Sequence, residues 1–246
     1  VKCFKITTQT LRAYGGFQYT LGVWTPKLDG EMPLCTSSWY HVYDHPLLAA
    51  MFSAIHGRAA TPKLFEATYD GRLKTKDANG LMRGVVRVRL DKVVSLPVFS
   101  PEQRVRFAIY AARAVYHGSE WITWSNHWLG GLDRSEKAAH AARRSVKGED
   151  SYSGRAAKGA AHAAEYADGT EPAPLSARGV ERWEEWLKMG VRESAGAAKM
   201  AGFSRSTKAH PPLPPRTSSY WVKLIEKAII DEDKLQKGPA PCCATN

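Results

Sequence analysis

Nothing in this 246-residue chain approaches the run of about eighteen apolar residues that a membrane-crossing helix requires, so a helical membrane span is excluded. Cysteine is scarce. Cys3, Cys35, Cys242 and Cys243 form no C-x-x-C pair, so no zinc site of the usual spacing is expected and free thiols in a reducing compartment are. The residues from Val1 onward lack the charged-then-apolar pattern of a signal peptide, and the expected location is the cytoplasm. Also missing are G-x-x-x-x-G-K-[ST], G-x-S-x-G and H-E-x-x-H, which argues against a P-loop nucleotidase, an α/β-hydrolase and a zincin. Acidic residues are in deficit: 24 Asp and Glu stand against 35 Lys and Arg, for a net charge of +11. An anionic partner is implied, with nucleic acid the first candidate.

The positive charge is diffuse. Its sharpest local excess runs from Lys199 to Lys223, where Lys199, Arg205, Lys208, Arg216 and Lys223 meet no acid, and these five are the candidate nucleic-acid contacts. Hydrophobic content of 43% and charged content of 24% are ordinary for a globular chain, so wholesale disorder is not expected.

Residues 1–99 read as a small mixed or antiparallel β-rich domain containing one helix. Lys2–Thr8 alternates as a first strand, and Tyr14-Gly15-Gly16-Phe17 is a turn before an extended stretch from Gln18 to Trp24. Leu34–Tyr43 is aromatic and β-branched enough for a strand, broken by Asp44-His45-Pro46. From Pro46, the apolar run Leu47, Leu48, Met51, Phe52 and Ile55 predicts a short helix ending at Gly57, with Asp44 a natural capping residue. Lys63–Tyr69, Val85–Leu90 and Val93–Val98 complete the strands.

The pattern changes at Ser100, and an all-α half follows over residues 100–237. Ser100-Pro101-Glu102-Gln103 is a capping box with proline at the first helical position. In the helix it opens, Arg104 and Arg106 face different sides and read as solvated. Trp121, Trp124 and Trp128 share one face of a second helix, as a packing stripe or as a stacking platform for bases. The alanine-rich stretch of residues 134–170 has high helix propensity but small side chains, so it must pack on the aromatic helices, on a second copy or on a partner. Trp183 and Trp186 mark another helix. Residues 209–216 (AHPPLPPR) form a polyproline spacer that also matches a P-x-x-P-x-R ligand. Trp221, Leu224, Ile225, Ala228 and Ile229 stripe a last helix, and residues 238–246 read as a flexible tail.

The most distinctive text is Gly16-Phe17-Gln18-Tyr19 with Gly22, then Cys35 and Trp39-Tyr40-His41-Val42-Tyr43-Asp44-His45-Pro46, then Leu64-Phe65-Glu66-Ala67. It resembles an uncharacterised domain family of phages and prophages, with a G-F-x-Y-x-x-G turn and a C-x-x-G-F-H-x-C-x-x-P stretch, often followed by Ala- and Trp-rich helices. Trp39-Tyr40 stands where Gly-Phe is usual and Tyr43 where the second cysteine is usual, so a paired-cysteine role does not carry over. The resemblance implies a mobile-element origin and no established activity.

His41 and Tyr43, two apart on an expected strand, point the same way, and Glu66 follows on a later strand. The trio resembles the nicotinamide-binding site of one class of ADP-ribosyltransferases, where His and Tyr orient the dinucleotide and Glu assists at the ribose. That resemblance implies NAD; the competing reading gives the aromatics to a small core, with no cofactor. Three functions stand open. The first is a phage-type accessory protein that binds a host protein or nucleic acid, in host takeover or anti-defence. The second is a transferase using His41, Tyr43 and Glu66, and the third is a virion or assembly component whose helices form a homo-oligomer.

Overall fold

The computed structural model describes residues 1–13, 16–32, 34, 36–57, 62–70, 73–76, 82–147, 151–165 and 217–237. The fold is α+β: antiparallel sheets with one short helix, then a helical region. β1 (Lys2–Thr7), β3 (Lys63–Tyr69) and β6 (Val88–Val94) form one sheet in the order β1-β3-β6. β2 (Tyr40–Val42), β5 (Arg83–Val85) and β4 (Leu73–Lys76) form the second, in the order β2-β5-β4. Of the strand expected over Leu34–Tyr43, the described residues form β2, paired with β5, and an isolated bridge from Tyr43 to Phe4.

Period-two alternation assigns the faces of the first sheet. Cys3, Phe65, Ala67, Tyr69, Val88 and Leu90 point between the sheets and meet Tyr40, Val42 and Val85 there. Phe17, Tyr19 and Tyr40 close this core edge to face, with ring centroids 4.9 Å apart for Phe17–Tyr19 and 5.3 Å for Phe17–Tyr40. The opposite face carries Phe4, Ile6 and Leu64, and α1 (Pro46–Gly57) packs over it with Leu48, Met51 and Phe52. Asp44, at the entry to α1, joins the Arg83 guanidinium and accepts a hydrogen bond from the Ser218 hydroxyl at 2.7 Å.

The core under α1 continues past Ser100 into the helical half without a break. α2 (Pro101–Arg113) opens with the expected capping box: the Ser100 hydroxyl accepts from the Gln103 amide and the Gln103 side chain accepts from the Ser100 amide. α3 (Ser119–Leu129) buries Trp121, Trp124 and Trp128 on one side, which makes them packing residues. The alanine-rich segment becomes α4 (Glu136–Ser145) and α5 (Tyr152–Glu165), whose small faces lie against α3 and α2. Ala139, Ala156, Ala157, Ala160 and Ala161 are fully buried, and the Trp121 indole donates to the Ala157 carbonyl at 3.0 Å. α6 (Ser218–Lys237) then lays Trp221, Ile225 and Ala228 across α2.

Arg106 departs from the sequence reading. It is 3% exposed, because α2 has neighbours on most sides and buries Val105 through Ile109 in succession. Its guanidinium donates to Glu232 of α6 at 2.7 and 2.9 Å and to the Leu129 carbonyl at 2.9 Å. Arg134 donates to both oxygens of the same carboxylate, at 2.8 and 2.7 Å, and stacks on Trp128 with its guanidinium 4.3 Å from the ring centroid. Burial raises the Glu232 pKa, but the bonds from Arg134 and Arg106 outweigh it and hold the group below the usual carboxylate range. No helix among the described residues is long and apolar enough to cross a membrane. Trp183, Trp186, the polyproline segment and the tail lie outside the described residues, as do Cys35, Cys242 and Cys243; Cys3 is a free, buried thiol.

Candidate nucleic-acid interface

α1 and the helical half cover only part of the outer face of the first sheet. Ile6 and Leu64, at one end, are buried beneath them, whereas Lys2, at the other, exposes 83% of its side chain. Strand register decides what the open end displays. Lys2 pairs with Thr68, Thr68 with Arg89, and Arg89 with Trp24 through an isolated bridge, so these four form one row across one face. Trp24 reaches that position because its segment runs along β6, with the Gly22 amide donating to the Leu90 carbonyl at 2.8 Å and the Thr25 amide to the Val88 carbonyl at 3.0 Å. The neighbouring row is Phe4, Glu66 and Lys92, extended by the bridge from Phe4 to Tyr43. A β-bulge at Glu66/Ala67 places Asp91 between the rows.

The side chains of this face are braced against one another. The Arg87 and Arg89 guanidiniums lie 5.3 and 5.2 Å from the centroid of the Trp24 ring, within cation–π range. Arg87 is fixed by donating to the Thr25 carbonyl at 3.1 Å, and Arg89 by donating to Asp91 at 2.7 Å. The Thr68 hydroxyl donates to the other oxygen of Asp91 at 2.6 Å. Glu66 bridges Lys2 and Lys92, each at 3.0 Å, and the hydrogen bonds from Lys2 and then Lys92 hold its carboxyl below the usual range. Three cations thus share two carboxylates, Lys2 and Lys92 on Glu66 and Arg89 on Asp91. No carboxylate among the described residues pairs with Arg87.

No known protein family, curated protein or solved structure matches this chain.

The residues singled out by sequence are distributed unevenly over this frame. Glu66 stands on the open face. Tyr43 lies in the same cross-strand row, two strand spacings or about 10 Å away, but is 3% exposed in the core beneath α1. His41 is half-buried on β2 opposite Gly84, and its carbonyl accepts a bond from the Lys5 ammonium at 2.7 Å. Burial, with the positive charge of Lys5 adding to it, pushes the imidazole pKa down to about 4. Lys5 is itself buried, its ammonium 5.6 Å from the centroid of the Tyr19 ring, and burial lowers its pKa to about 8. Lys223 is exposed on α6, while Lys199, Arg205, Lys208 and Arg216 lie outside the described residues. Among the described residues, no group of three or more His, Cys, Asp or Glu side chains is placed to hold a metal ion.

Lys2, Trp24, Arg87, Arg89 and Lys92 had not been singled out. The text Val86-Arg87-Val88-Arg89-Leu90 carried a signal, since arginines at every second position of a strand share a face. Trp24 carried none, because its position depends on pairing with a residue far along the chain. Chemically, the open face offers an aromatic plane, oriented guanidiniums and ammonium groups. It can stack on planar groups and neutralise anions.

Proposed function

We propose that this chain is a binding protein, a phage-type accessory factor that engages nucleic acid or an anionic host protein through the open face of its first sheet. The observation that carries the reading is the row Lys2, Thr68, Arg89 and Trp24, with Arg87 beside it, on a face left uncovered by α1. The net charge of +11 points to the same class of partner, and the resemblance to phage-borne domains supplies the biological setting.

The other two readings draw less support. An ADP-ribosyltransferase needs its trio around an open cleft, whereas Tyr43 is sealed in the core and Glu66 is held by Lys2 and Lys92. A self-assembling component was suggested by the small-faced helices, yet α4 and α5 spend those faces on α3 and α2 of the same chain. The test is affinity purification of the tagged protein from host cells, with a nuclease-treated sample alongside. A stoichiometric partner in either sample supports binding and names its class. Recovery of the bait alone, together with NAD turnover abolished by Glu66→Ala, would replace the proposal with the transferase.

A further inference from the structure

We infer that the open sheet face takes single-stranded nucleic acid with little regard to sequence, a base stacking on Trp24 and its arginines while Lys2 and Lys92 hold the adjoining phosphates. This deepens the binding reading above and rests on it. Bases in single strands stack on aromatic rings and on guanidinium planes, and here two guanidiniums lie over the half-buried Trp24 ring, so the three form one stacking unit. The row from Lys2 to Trp24 spans three strand spacings, about 14 Å, a breadth on which sheet proteins stack two or three bases.

Charge matching favours phosphate. Lys2 and Lys92 divide one carboxylate, Glu66, and their side chains are 83% and 66% exposed, so either can turn to a phosphate while the other keeps Glu66 paired. Arg87 spends its Nε on a backbone carbonyl, which leaves the rest of its guanidinium for an anion. A duplex fits poorly, because its base edges are read by a helix or ribbon entering a groove and its bases are stacked out of reach of Trp24. Sequence tolerance follows from the polar groups that could read base edges: Thr68 and Asp91 are already bonded to each other.

The experiment is fluorescence anisotropy on the full chain with a labelled mixed-sequence 12-mer, single-stranded or annealed, over a salt series. The expected result is single-strand binding at least tenfold tighter than duplex binding, weakened about tenfold by Trp24→Ala. With about three phosphates engaged, log K should fall against log salt with a slope near −2, and Lys2→Gln with Lys92→Gln should flatten that slope by about 1.4. Lys92 is exposed enough that its substitution reports on binding even where Trp24→Ala disturbs the sheet. Binding that ignores all three sheet substitutions but is lost on Lys223→Glu would move the ligand to α6 and overturn the proposal. Equal affinity for duplex would also overturn it. Absence of any oligonucleotide binding would remove nucleic acid as the ligand, and a nuclease-resistant partner in the purification would then keep the broader binding reading with a protein in its place.

Discussion

Two carboxylates in this molecule are each held by two cations, and they do opposite things. Glu232 is sealed between α2, α6 and the loop before α4, with Arg106 and Arg134 closing on it. Glu66 lies on an open sheet, with Lys2 and Lys92 reaching in from solvent. The stoichiometry is the same, and the surroundings decide the outcome. Guanidiniums bind a carboxylate in a fixed fork and lose little hydration, which suits a buried fastening. Ammonium groups on flexible stems exchange partners readily, which suits a surface that must release one anion to take another.

The largest effect that would break this comparison comes from the sealed side. Glu232→Gln leaves the buried Arg106 guanidinium without a counter-charge and should destabilise the fold by about 3–5 kcal/mol in urea denaturation. A loss no larger than that of a surface ion pair would mean that the clamp is incidental.

Lys5 tests a buried cation with no carboxylate partner among the described residues. Its folded pKa, about 8, lies below the free value of 10.5, so between those limits the unfolded chain holds more protons. Stability should therefore rise as pH increases from about 8 to 10.5. The full burial penalty acts below that window, and its relief amounts to roughly 3 kcal/mol. Lys5→Met should remove the rise in a pH series of denaturation midpoints and be more stable than the parent at pH 7.

His162 works on the acid side. Burial, and then the nearby charge of Arg143, brings its pKa down from 6.5 to about 4, and His41 is lowered over the same range. The unfolded chain again holds more protons in that window, so stability should fall as pH drops from 6.5 towards 4. His162→Gln should reduce that slope, and loss of the whole slope would leave nothing to His41.

The smallest effect should come from Glu66→Gln, which removes a half-buried carboxylate at the sheet surface. Its thermal midpoint should match the parent within error at moderate salt, while the proposed oligonucleotide affinity should rise, since Lys2 and Lys92 lose their internal competitor. A large fall in midpoint would show that both carboxylates are structural.

What could be read beforehand follows the distance over which each feature is determined. The capping box at Ser100 and Gln103 is three residues long, and helix α1 is bounded by Pro46 and Gly57, so local chemistry sufficed. The burial of the tryptophan stripe in α3 was legible from its spacing. Arg106 was not, because its partner Glu232 lies 126 residues away and nothing local distinguishes it from Arg104. The open face was illegible for the same reason. Its members come from four separate segments, and only register aligns Trp24 with Arg89 and Lys2 with Thr68. Residue type and order mark out His41, Tyr43 and Glu66 but carry no information about depth, and Tyr43 is core.

α6 is the last described helix, yet it supplies Trp221 to the centre of the core, Glu232 to Arg106 and Ser218 to Asp44. During synthesis, therefore, Phe107 must wait with its ring partner Trp221 missing until the ribosome has passed α6. The interior is finished only once α6 has been made, and a product interrupted before it would emerge with an uncovered apolar surface and an unmatched arginine for the cell's quality control to recognise.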